Sequence, residues 1–367
     1  MRESLRRAGQ CVMVGFAGHE ASADVRALIR DYGVGSAILF ARNVDAPAQV
    51  AELVRELQGI ARDAGHGLPL IVAVDQEGGR VARLREPWTV WPSLRALGRL
   101  ASESYAQRMG QALAAELSAC GLQWDFAPVL DVDTNPRNPV IGDRSFGDDP
   151  ALVARLGSAM IRGLQEGGVA ACAKHFPGHG DTDLDSHLEL PVVGHPRSRL
   201  SDVELRPFRT AILAQVASIM TAHLLVPELD EKLPATLSPR IVGALLREEL
   251  KYDGVIVSDD LEMKAVAKGW SAGEAAVLAA RAGCDILPVC QSTDAQVAAV
   301  EALVRASEVG EITEKAMAAA GGRLRALKER YVLPYRDPSP EQAVRAAGAA
   351  ERVALAEEIA ERSGLPA

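Results

Sequence analysis

Five cysteines are spread over this chain of 367 residues (Cys11, Cys120, Cys172, Cys284 and Cys290), and no two form a C-x-x-C pair. That scatter excludes a zinc knuckle and argues against a disulfide framework; it suits a reducing compartment. Runs of Lys or Arg are missing and the net charge is −9, which speaks against a nucleic-acid-binding surface. No stretch of about 18 apolar residues is available to span a bilayer. Met1 to Arg7 carries charge with no apolar segment behind it, because residues 11–17 are soon followed by His19 and Glu20. No signal peptide is expected, and the cytoplasm is the expected location, with neither a membrane nor a nucleic-acid partner. Neither G-x-G-x-x-G nor a Gly-Lys-Ser/Thr step occurs, so a phosphate cradle is not expected either.

What is present is a soluble, globular composition, 48% hydrophobic and 24% charged. Short apolar runs at 12–16, 35–40, 70–75, 126–130, 169–174, 218–224, 254–260 and 285–289 read as buried strands. Between and after them, helical patterns fall at 22–32, 46–64, 102–120, 150–168, 202–216, 239–250, 272–282 and 294–306. Continuously apolar strands alternating with amphipathic helices imply a parallel sheet covered by helices. Eight such units predict a single α/β domain, a closed (β/α)8 TIM-type barrel, rather than an open doubly wound sheet. A further helix is expected at 313–330. The division is then a barrel at 1–335 and a C-terminal helical tail at 336–367.

The densest polar stretch is 174–187, KHFPGHGDTDLDSH, with three histidines, three aspartates and a lysine directly after an apolar strand. Such a loop needs a partner for every charge it buries, and loops of this kind on rigid scaffolds carry chemistry. Polar residues recur at other strand ends: Asp75, Asp131, His223 and the pair Asp259-Asp260. A single strand-end acid often caps the next helix; five strands ending this way converge on the barrel face where active sites form.

Two further loops fit that face. Asp75-Gln76-Glu77-Gly78-Gly79-Arg80-Val81-Ala82-Arg83 combines acid, glycines and arginines suited to fixing sugar hydroxyls, with a structural ion pair as the competing role for Arg80. Residues 138–147 offer Arg144 as a forked donor, with Asp143 readable as a turn residue. Metal binding by 175–187 is disfavoured: Pro177 and Gly178 exclude the helical His spacing of a zincin, and the stretch itself contains no cysteine.

Taken together, 174–182 with Asp185-Ser186-His187, 75–80, Gly142-Asp143-Arg144-Ser145-Phe146, Ser258-Asp259-Asp260-Leu261 and Pro234-Ala235-Thr236-Leu237-Ser238 resemble glycoside hydrolase family 3. The resemblance runs over roughly residues 10–330 and is strongest to its bacterial β-N-acetylglucosaminidase branch. It implies Asp259 as the nucleophile and Asp185 with His187 as an Asp–His general acid/base. It also implies Asp75, Arg83, Arg144, Lys174 and His175 as the groups holding N-acetylglucosamine. No cofactor or metal is implied. The implied partners are small N-acetylglucosamine glycans or muropeptides, above all a 1,6-anhydromuramoyl fragment; the oligomeric state is left open, a monomer being one option.

The implied reaction is retaining β-N-acetylhexosaminidase chemistry through a glycosyl-aspartate. Asp260 is expected to cap a helix or bond loop backbone, and His179 and Asp181 to hold loop shape. The glycines at 178 and 180 suggest a loop that moves on binding sugar. Three alternatives stand beside this reading. A phosphorylase is conceivable because a neutral imidazole repels phosphate less than a carboxylate does. The others are a broader β-glycosidase such as a β-glucosidase, and a sugar-binding barrel without turnover.

Overall fold

The computed structural model of the chain describes residues 3–186 and 189–366. Eight parallel strands form one sheet: β1 (Val12–Val14), β2 (Ser36–Leu39), β3 (Ile71–Val74), β4 (Trp124–Asp125), β5 (Ala170–Phe176), β6 (Ser218–Thr221), β7 (Val255–Ser258) and β8 (Leu287–Val289). Each pairs with its neighbour in the chain, and β8 returns to β1 with Val12 opposite Leu287. The remaining seam, β7 to β8, is closed by a parallel bridge from Val257 to Ile286 and by the Ser258 amide donating to the Ile286 carbonyl. The sheet is therefore the barrel that the alternation predicts. Every residue of β5, β6 and β7 is buried, as strands covered on both faces must be.

Helices follow the strands in turn: α1 (Ala23–Tyr32), α2 (Pro47–Asp63), α3 (Glu103–Ala119), α4 (Pro150–Glu166), α5 (Leu205–Leu213), α6 (Pro239–Glu249), α7 (Ala272–Ala282), α8 (Thr293–Glu308) and α9 (Glu314–Tyr331). Local chemistry sets their ends. Ser22 caps α1 through the Val25 amide, and Gly33 stops it in the left-handed region at φ 71°. Ser271 and Glu274 close a capping box on α7. The α6 segment is wound as a π-helix. None of the described helices is long and apolar enough to cross a membrane, and all five thiols are buried and free.

The strand expected at 126–130 is displaced to Trp124–Asp125. Pro128 has no N–H for a ladder, and beyond Asp125 the pairing continues irregularly: a bridge from Val129 to Lys174, the Phe126 amide on the Val74 carbonyl, the Leu130 amide on the Lys174 carbonyl, and the Cys172 amide on the Ala127 carbonyl at 2.8 Å. Several elements have no counterpart in the sequence pattern, among them the helices Glu3–Gln10, Arg197–Asp202 and Lys264–Ala267. A hairpin of Gln76–Gly78 and Val81–Ala82 stands directly on β3, and a short helix, Leu94–Leu100, follows it.

The tail forms α10 (Pro340–Ala346) and α11 (Ala350–Ser363), and both dock on the barrel. The α10 helix packs on α2 and α3, and α11 on Leu94–Leu100 and α3. Ala343 and Ile359 are fully buried. The anchor is Glu116, whose Oε1 accepts from the Gly348 amide at 2.9 Å, the Thr89 hydroxyl at 2.8 Å and the Thr89 amide at 3.2 Å. Arg352 stands 3.7 Å away. Gly348 must be glycine here: its φ is +60° and a Cβ would meet the Pro87 carbonyl oxygen at 2.4 Å.

Glu116→Ala is expected to cost about 2–4 kcal/mol, since it strands buried donors on two segments at once. Denaturant unfolding measures the loss, and limited proteolysis should now cut ahead of α10.

Candidate active site

At the C-terminal mouth of the barrel lies a cleft of about 380 Å³, lined from the strand ends by Asp75, Lys174, His175, Asp259 and Cys290. Asp185 and Ser186 of the loop after β5 reach its wall, as do Arg83 and Phe40.

Its floor is a run of alternating charges. Lys174 Nζ, on β5, sits 2.8 Å from Asp75 Oδ1 and 2.7 Å from Glu77 Oε1. Glu77 is gripped from its far side by Arg144, through Nη2 at 2.7 Å and Nε at 2.8 Å. Asp75 Oδ2 receives Arg83 Nη2 at 3.1 Å. Lys174 and Glu77 are 2% and 1% exposed, so each ion's desolvation must be offset by its neighbours. Burial pushes Glu77 up, but Arg144 and Lys174 outweigh it and hold the carboxyl down at about 2. Asp75 is likewise held well below the usual carboxylate range by Lys174 and Arg83 against its burial. Lys174 is desolvated too, yet Asp75 and Glu77 raise it above an ordinary lysine. The hairpin explains the spacing: Gln76 takes its amide bond from β4 through Asp125 Oδ1, and its side-chain oxygen accepts from the Arg83 and Leu84 amides. That turn carries Arg83 back over Asp75.

Beside this floor, Asp131 organises the histidines. Its carboxylate accepts from the His175 amide at 3.2 Å, from the His179 amide at 2.6 Å, and meets His175 Nδ1 at 2.7 Å. The His175 ring is thereby fixed with Nε2 as its other edge. His179 is buried behind it, bonded to Thr182 and Ser186, and burial pushes its ring down to about 4. It is a neutral strut at neutral pH.

Across the cleft, β7 delivers Asp259 and Asp260. Asp259 Oδ1 accepts from the Asp260 amide at 2.8 Å. Asp260 also lines the cleft, but its Oδ1 accepts from the Glu262 and Cys290 amides, and its carbonyl oxygen meets His223 Nε2 at 2.9 Å. Burial, then the Glu262 and Asp259 charges, push Asp260 up to about 7.

Of the predicted residues, Asp75, Arg83, Arg144, Lys174, His175, Asp185 and Asp259 all line one cleft. His187 lies outside the described residues. Arg80 leaves the floor for an exposed ion pair with Asp143 at 3.0 Å and for the Val140 carbonyl. Sequence reasoning missed Glu77, on which both Lys174 and Arg144 depend; its signal was an acid two residues beyond Asp75. It also left Asp131 without its task of orienting His175.

A cleft of this volume at the mouth of a barrel, lined by Asp75, Asp185 and Asp259 with the His175 imidazole and the Lys174 ammonium, has the polar groups that a carbohydrate-processing barrel needs. The profile of the glycosyl hydrolase family 3 N terminal domain matches residues 5–327, and the chain belongs to that family. A β-hexosaminidase A of Pseudoalteromonas piscicida is 38% identical over 325 residues, 83% of this chain and 54% of that protein. A β-hexosaminidase of Neisseria meningitidis serogroup C (strain 053442) is 41% identical over 290 residues, 77% of this chain and 78% of that protein. The chain thus spans about half the length of the first relative and over three quarters of the second. A family 3 β-N-acetylglucosaminidase structure from Paenibacillus sp. str. FPU-7 superposes with a TM-score of 0.92 and 46% identity, over 99% of this chain and 69% of that one. NagZ from Neisseria gonorrhoeae, in complex with N-trifluoroacetyl-D-glucosamine, gives 0.79 and 33%, over 96% and 98%.

Glu77→Gln should cost about 3–5 kcal/mol by leaving buried Lys174 and Arg144 underpaired. It should also flatten the acid limb of the stability profile. The Glu77 carboxyl titrates near 2 in the fold and near 4.5 unfolded, so its contribution is complete above pH 4.5 and is lost as pH falls towards 2. Denaturant titrations of both proteins across that window measure the difference.

Proposed function

We propose that the protein is a retaining exo-β-N-acetylglucosaminidase that removes non-reducing terminal N-acetylglucosamine from peptidoglycan-derived muropeptides. The observation that carries this reading is the meeting of Asp259 and Asp185 in one cleft with the Asp75–Lys174–Arg83 floor. β-Hexosaminidase and β-N-acetylglucosaminidase relatives support the choice of sugar.

Asp259 attacks the anomeric carbon and forms the glycosyl-enzyme intermediate. His187 protonates the departing oxygen and then takes a proton from the water that releases the sugar. Imidazole suits both steps because its ordinary pKa of about 6.5 lies near neutral pH. Asp185 orients that imidazole and stabilises its charged form. Lys174, Arg83, Arg144, His175 and Asp75 hold the ring hydroxyls and the acetamido group. The backbone bonds from Glu262 and Cys290 leave Asp260 a supporting task, turned into the β8 loop.

Asp259→Ala is expected to reduce turnover of an aryl β-N-acetylglucosaminide by about 10⁴-fold or more with the thermal midpoint retained, and near-normal activity would refute the nucleophile. His187→Ala should slow substrates with poor leaving groups far more than activated aryl glycosides, and equal losses would refute its acid role. Product analysis with added phosphate checks the chemistry: free N-acetylglucosamine is expected, and a sugar 1-phosphate would mark a phosphorylase.

A further inference from the structure

A second cluster of ionisable groups stands at the root of the loop after β5. The chain leaves β5, passes Gly178 and Gly180, and reaches Asp181. After the segment that carries Asp185 it comes back through His195 into a short helix, Arg197–Asp202, and then Glu204. His195 Nε2 meets Asp181 Oδ2 at 2.5 Å, joining two positions that are 14 residues apart in sequence. Arg199 Nη2 lies 3.1 Å from the same Asp181 oxygen, 3.3 Å from Glu204 Oε1 and 3.1 Å from Thr134 Oγ1 in the loop after β4. Glu204 is 3% exposed and presses on the outgoing limb, where a Cβ at Gly178 would come within 2.8 Å of the Glu204 Cβ.

Donor atoms of Asp181, His195 and Glu204 lie within 4.8 Å of one another, a spacing a divalent cation could use. The Arg199 guanidinium, however, already bonds both carboxylates and supplies the positive charge there. Glu204 Oε2 and Arg199 Nε stay buried without a hydrogen-bond partner, while Arg199 Nη2 joins the two carboxylates. Inside the excursion, His179 bonds Ser186, the Ala265 amide bonds the Ser186 carbonyl, and the Glu189 amide bonds the Asp185 carbonyl. Among the described residues these bonds do not tie the outgoing limb to the chain beyond Glu189. Asp181, His195 and Arg199 do.

We propose that Asp181, His195, Arg199 and Glu204 form a clasp that sets the position of Asp185 over the bound sugar, an inference that rests on the acid/base reading above. Pinning both ends of a segment removes most of its freedom to drift. A displacement of about 1 Å at a proton-transfer group can cost on the order of 10²-fold. The four are positioning residues; none lines the cleft.

The test uses two β-N-acetylglucosaminides, one with an activated dinitrophenyl leaving group and one with an alkyl leaving group. It is run on Asp181→Asn, His195→Ala and His195→Gln, with Asp185→Asn in parallel. For the first two variants, kcat on the alkyl glycoside should fall about 10- to 100-fold while the activated substrate stays within about 3-fold and the thermal midpoint is kept. His195→Gln places an amide donor where Nε2 stood and should recover most of the alkyl-glycoside rate. Equal losses on both substrates, or none on either, overturn the clasp. If Asp185→Asn shows the leaving-group dependence and the clasp variants do not, the clasp alone fails. If Asp185→Asn lacks it, the acid/base reading fails and the clasp falls with it. Activity lost to a chelator would replace the clasp with a cation site.

Discussion

The site depends on one buried ammonium. Lys174 Nζ, on the inner face of β5, bonds both Asp75 and Glu77, and through them it aligns Arg83 and Arg144. Strand β5, the end of β3, the following hairpin and the loop at 142–146 thus meet at a single nitrogen. Two anions and three cations leave this floor one positive charge in excess, in a setting where charges are weakly screened. Under the proposed function, such a floor would meet the oxygens of a neutral sugar with groups already held by one another.

The opposite side of the cleft is built on another plan. The floor residues come from strands or from a hairpin standing on a strand, and their neighbours fix them. Asp185 comes from a loop excursion held along its outgoing limb: Asn138 Nδ2 donates to the His179 and Gly180 carbonyls, Asn135 Nδ2 donates to the Thr182 carbonyl, and Asp181 meets His195 and Arg199. Under the proposed function, the groups assigned to binding stand on strand ends and those assigned to proton transfer stand on a loop. Asp259, on β7, belongs to the rigid side.

The architecture was legible because its cause is periodic. Continuous apolar strands alternating with amphipathic helices recur eight times, and α7 falls on the expected residues from Ala272 to Ala282. The strand expected at 126–130 misled because apolarity was read without counting the N–H that Pro128 lacks. The candidate residues were legible as strand-end polar groups, and the family motifs gave them roles. Glu77 and the Asp181–His195–Arg199 contacts were not, because each depends on a pairing between segments remote in the chain. Arg144 looked like a sugar ligand from its motif; the fold shows why it can be held in place, since Glu77 accepts two of its bonds.

The docked tail bears on this at a distance. The α11 helix covers Leu94–Leu100, and Arg99 donates to the Ser363 carbonyl. On the other side of that short helix, Gly98 abuts the Phe146 carbonyl so closely that a Cβ would meet it at 1.6 Å, and Arg95 donates to the carbonyls of Gly142 and Ser145. Those residues frame Arg144. The last turn of α11 is thus joined through one short helix to the loop that carries Arg144, and it acts as a buttress. Leu94–Leu100 is held from both sides, by residues 350–363 and by 142–146, so a change of volume on either side bears on that helix.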